Sequence, residues 1–172
     1  NAGIGAVIKA WKHLMEISVA EALNKNKRGK GDTIGMDNIS EIDIVASVKE
    51  FYDRAIIVTE ETDDITTKFW PQNPDPELQP LMFFSDPVDR SSFFEKFLIN
   101  MAKDDKTKKV GYLINKRDAL SAWKEIDKVD DMIDGPVMIS GPTISVTCLS
   151  KGSIIFSVIL NIVTQYIFLA SP

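Results

Sequence analysis

Hydrophobic positions recur with helical spacing in the first third of the chain. From Ala6 to Leu23 they fall near one face, with charged residues elsewhere, which predicts an amphipathic helix. A second apolar stripe, which starts after Asn38 or Ser40 and ends at Phe51, predicts another helix. Each helix needs a further layer of structure against which to bury its apolar face.

Runs of β-branched and aromatic residues predict that this layer is a sheet. Arg54 to Thr59 and Leu81 to Asp86 each predict a strand. Three apolar runs between Ile144 and Ala170, with a turn at Lys151-Gly152, predict an antiparallel meander. The expected fold class is therefore α+β, with two amino-terminal helices packed on a mainly antiparallel sheet. We expect the strands near 55–60 and 81–86 to be antiparallel members of that sheet.

The segments between these strands are predicted from their polar residues and short apolar runs. Four prolines between Thr62 and Pro80 predict a surface excursion between two strands. Asn100 to Lys109 is predicted to be a charged loop and Val110 to Ile114 a strand. Lys116 to Met132 has apolar residues at helical spacing and is predicted to form a helix.

Composition narrows the class of function. The 172 residues, 44% of them hydrophobic, fit one domain with a real core, and the net charge of −5 argues against a nucleic-acid surface. Polar residues interrupt the apolar stretch from 154 to 170, so a doubly covered sheet explains it better than a membrane span.

The single cysteine, Cys148, predicts a buried thiol in a reducing compartment, and we expect a cytoplasmic protein. The only histidine, His13, lies far in sequence from the acidic motifs, which makes histidine-based catalysis and zinc chemistry poor candidates.

The stretch from Leu81 to Phe94 is the part of the chain best suited to chemistry. An apolar run leads into Asp86 and Asp89, and Pro87 keeps the preceding residues out of helical geometry, so both carboxylates are expected to project from a stiff turn. Ser91-Ser92 offers good N-caps for a following helix. Two hard oxygen ligands beside helix amides suit a metal-assisted phosphate site. The simpler alternative is an Asp-Pro turn followed by a capped helix.

The same stretch resembles a family signature. Asp86-Pro87-Val88-Asp89-Arg90-Ser91 is similar to the Asp-Pro-Ile/Leu-Asp-Gly-Thr/Ser signature of the inositol monophosphatase and fructose bisphosphatase superfamily of magnesium-dependent sugar phosphatases. Asp37 to Asp43 resembles the family's Asp-Leu-Val-Thr-x-x-Asp motif, and Ile56 to Thr62 resembles its strand ending in Gly-Glu-Glu-Ser. Gly141 to Ala170 resembles the strands that follow the signature. Arg90 departs from the pattern, because it stands where the family has glycine or occasionally serine.

The resemblance implies a metal centre that holds Mg²⁺. Its ligands would be Glu60, Asp86, Asp89 and the carbonyl of Val88. Asp43 would either bind an additional metal ion or act as the partner of the attacking water.

The resemblance also implies a phosphate cradle beside the metals. Ser91 would orient and deprotonate the water, together with Asp43, and the helix start with Ser91 and Ser92 would bind the phosphate. Arg90 is outside the family pattern, but its guanidinium suits bidentate hydrogen bonds to the same phosphate. Lys30, or else Lys25 or Lys27, would reach the site from the loop before the first aspartate motif. A solvated basic turn is the simpler explanation for these lysines.

For the complete protein the resemblance implies a magnesium-dependent phosphomonoesterase. Its substrate would be a small phosphorylated metabolite: an inositol monophosphate, a sugar bisphosphate or a nucleotide bisphosphate. Arg90 leaves open a catalytically degenerate member that binds a phosphorylated ligand or a partner without turnover. A structural or interaction protein with acidic surface turns is the third alternative. A homodimer is compatible with each of these.

The resemblance covers nearly all of residues 1–172 but only about the first two-thirds of the family's length. Family members carry a further α/β lobe with another metal-binding aspartate, and nothing after Ala170 supplies it. We therefore expect that the chain is a fragment. The alternative is that a second chain completes the site.

The segment at about 100–138 is longer than its counterpart in small inositol monophosphatases. We expect it to be an insertion without a catalytic part.

Overall fold

The computed structural model of the chain describes residues 2–25, 34–52, 54–59, 69–71, 75, 77, 80–126 and 141–172. Several sequence predictions lie outside these ranges. They are the basic residues Lys27 and Lys30, the carboxylate of Glu60, and the last part of the predicted helix, from 127 to 132.

The amino-terminal part forms two helices where one was predicted. Helix α1 spans Ala2–Glu16, and a short α2 spans Val19–Ala22. Ser18 causes the break, because its hydroxyl accepts a hydrogen bond from the backbone amide of Glu21 while the Glu21 carboxylate accepts from the amide of Ser18 at 2.8 Å. This reciprocal capping box starts a new helix and prevents α1 from continuing to Leu23.

Helix α3 spans Gly35–Phe51 and starts earlier than predicted. Asp37, in its first turn, accepts a hydrogen bond from the backbone amide of Ile34 at 3.1 Å. A carboxylate in the first turn also favours the helix dipole, so the helix begins before Asn38 and Ser40, the predicted caps.

Six strands form one sheet in the order β2-β1-β3-β4-β5-β6. They span Ala55–Thr59, Phe69–Trp70, Leu81–Asp89, Thr143–Ser150, Ser153–Asn161 and Ile167–Ala170, numbered in chain order. All neighbouring strands are antiparallel except β1 and β3, which are parallel. The prediction of a mainly antiparallel sheet is confirmed, whereas the antiparallel arrangement expected for the strands near 55–60 and 81–86 is wrong. Two parallel strands start at the same end of the sheet, so the chain must cross back between them. The segment between Thr59 and Leu81 is long enough for such a connection.

The sheet buries one face against α1 and α3. Helix α1 packs against β4 and β5, and α3 packs against β1 and β3. Phe83 lies at the centre of this layer, with its ring centroid 5.2 Å from that of Tyr52 and 6.2 Å from that of Phe156. Gly3 of α1 approaches the Phe156 ring so closely that an added Cβ would lie 2.3 Å from Cε2. The two predicted amino-terminal helical regions therefore pack on the sheet as expected.

The predicted meander is confirmed in β4, β5 and β6. Its first turn has Lys151 at a φ of 49° and Gly152 at a φ of 79°. Two consecutive residues with positive φ characterise the type I′ hairpin turn, whose twist matches that of the flanking strands.

Three helices lie between β3 and β4. They are α4 at Ser91–Ala102, α5 at Val110–Ile114 and α6 at Ala119–Ile126. Val110 to Ile114 is a helix and not the predicted strand. A five-residue apolar run has no distinctive period, and this one buries four of its residues as a single helical turn beside α1.

The helices after β3 share an aromatic cluster. The ring of Trp123 in α6 packs edge-on against Phe94 and Phe97 of α4, at centroid distances of 6.2 and 5.9 Å. In the part of the chain that the structure describes, none of the helices is both long and apolar enough to span a membrane.

Candidate metal and phosphate site

A β-bulge in β3 sets the direction of the two signature aspartates. Asp86 pairs with Ser145 of β4 and Asp89 pairs with Thr143, so three steps along β3 match two steps along β4. Residues two apart in a strand share a face, and paired residues on neighbouring strands share a face as well. Asp86 and Asp89 therefore lie on the same face of the sheet, whereas an unbulged strand would place them on opposite faces.

The bulge replaces the predicted turn at Pro87. Strand β3 continues to Asp89 and does not end at Asp86. A proline inside a sheet is tolerated at a bulge or where no partner needs its missing N–H. The first condition is met at Pro87, which lies in the bulge between Asp86 and Asp89.

The face that carries Asp86 and Asp89 is the one away from α1 and α3. The alternation of β4 places the buried Ile144, Val146 and Cys148 toward the helices, and the half-buried Thr143, Ser145 and Thr147 on the other face. Thr147 and Ser157 on that face share a hydrogen bond of 2.9 Å between their hydroxyl oxygens. Asp86 is half-buried and Asp89 is exposed, so both carboxylates are accessible on this face.

Arg90, and not Ser91 or Ser92, is the N-cap of α4. Its backbone is in the left-handed region, at φ 61° and ψ 31°, and no side chain caps the helix. The carbonyl of Arg90 accepts the amides of Phe93 and Phe94, both at 3.0 Å. Ser91 and Ser92 are consequently the first two helical residues, whose amides have no acceptor within a helix. The left-handed conformation explains why the family signature has glycine here.

Because α3 starts at Gly35 and not after Asn38 or Ser40, Asp43 lies in the middle of the helix. Its Oδ2 is 2.7 Å from Nδ1 of His13 in α1. Its side chain is 13% exposed, whereas that of His13 is 51% exposed. His13, which lies far in sequence from the acidic motifs, therefore joins α1 to the second half of the Asp37–Asp43 motif.

Asp37 is a buried carboxylate for which the sequence predicted no role of its own. It is 1% exposed and lies in the first turn of α3. Since α3 ends at Phe51 and β1 begins at Ala55, the chain reverses direction within a few residues. Helix α3 packs on β1 and β3, so its amino end lies toward the carboxyl ends of these strands, where β3 carries the bulge. An acidic residue just before an apolar helical stripe is the signal that could have identified it.

The donors at the bulge have the chemistry that Mg²⁺ prefers. Asp86 and Asp89 offer carboxylate oxygens on one face, and the buried Val88 between them offers a carbonyl. Within the described ranges, three or more acidic, histidine or cysteine side chains do not gather into a metal-binding group, and Glu60 lies outside those ranges. The two aspartates thus fit a divalent cation in ligand type.

Comparison with known proteins identifies the fold. The chain matches the structure of the extragenic suppressor protein SuhB from Bartonella henselae with a TM-score of 0.56 and 17% sequence identity. It matches inositol monophosphatase II from Staphylococcus aureus with a TM-score of 0.52 and 15% identity. These matches cover 99% and 98% of this chain, but only 47% and 44% of the other two. No protein-family model and no curated protein matches the sequence. The chain, which spans a little under half the length of these structures, has the fold of the amino-terminal portion of an inositol monophosphatase.

Proposed function

We propose that the complete protein is a magnesium-dependent phosphatase whose metal centre forms at the β3 bulge. The observation that carries this proposal is the register shift that puts Asp86 and Asp89 on one face, directly before the amino end of α4. Two carboxylates beside amides that have no acceptor within their helix combine cation ligands with an anion site. The same fold in a solved inositol monophosphatase supports the proposal.

Asp86, Asp89 and the carbonyl of Val88 would hold Mg²⁺, together with Glu60. Thr59 pairs with Ser85 on the face toward the helices. The described pairs of β1 and β3 stay in step up to that pair, which is the support for proposing the next residue, Glu60, as the third carboxylate ligand. A bound Mg²⁺ would act as a Lewis acid on a phosphate oxygen.

The start of α4 would bind the phosphate. The amides of Ser91 and Ser92 have no acceptor within the helix and carry the positive end of its dipole. Arg90 would add a guanidinium, a group that suits the oxygens of a phosphate. Phosphate bound there would place its ester bond beside Asp89, which ends β3.

The Ser91 hydroxyl would orient the attacking water, with help from a carboxylate of α3. Asp43 is the partner predicted from the sequence, and Asp37 is the second candidate because it lies at the amino end of the helix. Asp43→Asn and Asp37→Asn, compared in the same assay, separate the two. The residue whose carboxylate assists Ser91 should, when replaced, lower kcat more than it raises KM.

The proposed substrate is a small phosphorylated metabolite: an inositol monophosphate, a sugar bisphosphate or a nucleotide bisphosphate. A face with two carboxylates and a bound cation suits a phosphate group, and the half-buried hydroxyls of Thr143 and Ser145 on the same face suit a polyol. Phosphate release from a panel of these esters, with and without Mg²⁺, would identify the class.

Asp89→Asn tests the proposal. The substitution keeps the shape of the side chain but removes a charge that the cation requires, and it also removes repulsion between neighbouring carboxylates. We expect turnover to disappear and the stabilisation by Mg²⁺ in a thermal melt to be lost. The melting temperature without Mg²⁺ should hold or rise.

Asp104→Asn is the matched control, because Asp104 is exposed in the turn after α4 and should leave both properties unchanged. Magnesium-dependent activity that survives in Asp89→Asn would disprove the metal centre at the bulge.

A phosphate-binding protein without turnover is the second candidate function. The observation in its favour is that Arg90 keeps a long side chain at a left-handed position where glycine is favoured. In that case Arg90→Gly should weaken phosphate binding and release no phosphate from any ester. A gain of hydrolysis in Arg90→Gly would instead indicate that the arginine obstructs a competent site.

A further inference from the structure

Strand β6 lies at one edge of the sheet and carries no charge. All four residues of Ile167–Ala170 are exposed, and in the part of the chain that the structure describes no strand pairs with their outer side. From Ser153 to Pro172 the sequence contains no charged residue, although 26% of the whole chain is charged. Edge strands usually carry a charge or a proline that prevents another strand from pairing with them. Strand β6 has neither.

The hydrogen bonds between β5 and β6 determine which backbone groups of β6 face the open edge. The amide of Asn161 donates to the carbonyl of Tyr166 at 2.9 Å, so these two residues form a hydrogen-bonded pair. Bonded and non-bonded pairs alternate along two antiparallel strands. In the observed register Phe168 is therefore bonded to β5 again, whereas its two neighbours are not. The amides and carbonyls of Ile167 and Leu169 consequently point away from β5, toward the open edge.

The lack of charge at this edge favours a second copy of the chain as its partner. Each chain has a net charge of −5, so two copies approach each other closely only through a surface without like charges. Strand β5, next to β6, also exposes the apolar side chains of Ile154, Ile155 and Ile159. Two copies that meet through β6 therefore bring together uncharged, largely apolar surfaces.

Strand β6 is also complementary to itself. If two copies pair antiparallel about a two-fold axis at Phe168, Ile167 of one copy lies opposite Leu169 of the other. Both residues present an amide and a carbonyl to the edge, so each such pair exchanges both of its N–H···O bonds. The two Phe168 residues then face each other in a non-bonded pair, in which Cβ atoms are about 4.5–5.5 Å apart and aromatic side chains contact each other.

We propose that two copies of this chain pair through β6 and form a symmetric dimer with one continuous sheet. The backbone groups of Ile167 and Leu169 in each copy bond to those of Leu169 and Ile167 in the other, and the two Phe168 rings pack across the axis. A two-fold axis makes the association close at two copies instead of growing into a filament. Strands β4 and β5 lie between β6 and β3, so dimer formation does not depend on the proposed metal centre.

Sedimentation velocity of the 172-residue chain tests for the dimer. We expect a species of twice the 19.2 kDa chain mass that dissociates on dilution. Leu169→Pro removes the amide that the second copy needs, and an edge strand tolerates proline where the missing N–H would face outward. Leu169→Ala is the matched control, because it shortens the same side chain but keeps the amide. The dissociation constant should rise at least tenfold more in Leu169→Pro than in Leu169→Ala.

A disulfide tests the register by a second route. In a Cys148→Ala background, which leaves no other cysteine, Phe168→Cys puts the two thiols opposite each other across the axis. The Cβ spacing of a non-bonded antiparallel pair is close to that of a disulfide, so mild oxidation should give a covalent dimer. Leu169→Cys is the control. It lies opposite Ile167 and not opposite itself, and should cross-link at least tenfold more slowly.

Three results would overturn the proposal. The first is a chain that stays monomeric at every concentration tested. The second is a Leu169→Pro variant that is folded by its melting curve and dimerises as tightly as the unaltered chain, which would place the contact elsewhere on the surface. The third is equal cross-linking of Phe168→Cys and Leu169→Cys. If Leu169→Pro does not fold, the comparison of the two cysteine variants decides.

Discussion

Arg90 has a strained backbone conformation at the start of α4. At a φ of 61° it adopts a conformation that costs an ordinary L-residue about 1–2 kcal/mol. Glycine removes this strain but loses more entropy on folding. We therefore expect Arg90→Gly to raise the free energy of unfolding by about 0.5–1 kcal/mol, measured by urea denaturation.

Lys151 provides the matched control for Arg90. It has a φ of 49° in the hairpin turn after β4, far along the chain from the α4 amino end. Lys151→Gly should stabilise the protein similarly while leaving phosphate binding unchanged. If Arg90→Gly stabilises but does not alter phosphate binding, the guanidinium has no part in the site.

Cys148 should be unreactive at neutral pH. Burial in β4 raises the pKa of its thiol to about 11, because the apolar surroundings disfavour the thiolate. We expect a thiol-specific reagent to label the native protein at pH 8 far more slowly than the urea-unfolded protein. Equal labelling rates in the two states would contradict the buried position.

The same pKa shift affects stability at alkaline pH. In the folded state the thiol stays protonated up to about pH 11, whereas in the unfolded state it ionises near its ordinary value of 9.0. The unfolded state thus binds fewer protons between these values, and stability falls as the pH rises through this window. Cys148→Ala should remove this part of the pH dependence in melts between pH 8 and 11.

At the scale of elements, the strand pattern was predictable but the bulge was not. Short runs of apolar and β-branched residues predict β3, β4 and β5 correctly because this signal is local in the sequence. The extra residue between Asp86 and Asp89 is defined only by the pairing with β4, which is distant in sequence. Pro87 was therefore interpreted as a turn, although a proline is equally compatible with a bulge.

The outer edge of β6 is a hydrophobic surface. Ile167, Phe168 and Leu169 are 42%, 38% and 55% exposed, and no strand in the described residues pairs with that edge. Open apolar edges promote strand addition between molecules. We expect Phe168→Lys to reduce concentration-dependent association, measured by sedimentation velocity.

Ser121→Lys is the control for this variant. It adds the same charge at an exposed position of α6 and should not change association. A similar decrease in both variants would show that net charge, and not the strand edge, controls the behaviour.

For the whole molecule, the sequence predicted the layers more fully than their connections. The two helical regions and the sheet follow from apolar periodicity, which requires each element to bury one face. The parallel pairing of β1 and β3 could not be predicted in the same way, because it depends on where the polar excursion returns the chain. The candidate site shows the same contrast between local and long-range information. Asp86 and Asp89 were found from the local sequence. The buried position of Asp37 and the His13–Asp43 contact depend on how α3 packs.

The β3 bulge also determines when the site can form during folding. The β4–β5 hairpin closes through two residues, and hairpins of this kind form within about 1–10 μs. The pairing of Asp89 with Thr143 instead closes a loop of more than fifty residues, which is entropically costly and slow. The two carboxylates share a face only after this long-range pairing. A nascent chain on the ribosome therefore cannot assemble the bulge before β4 emerges, and the two carboxylates should reach their common face only after that point.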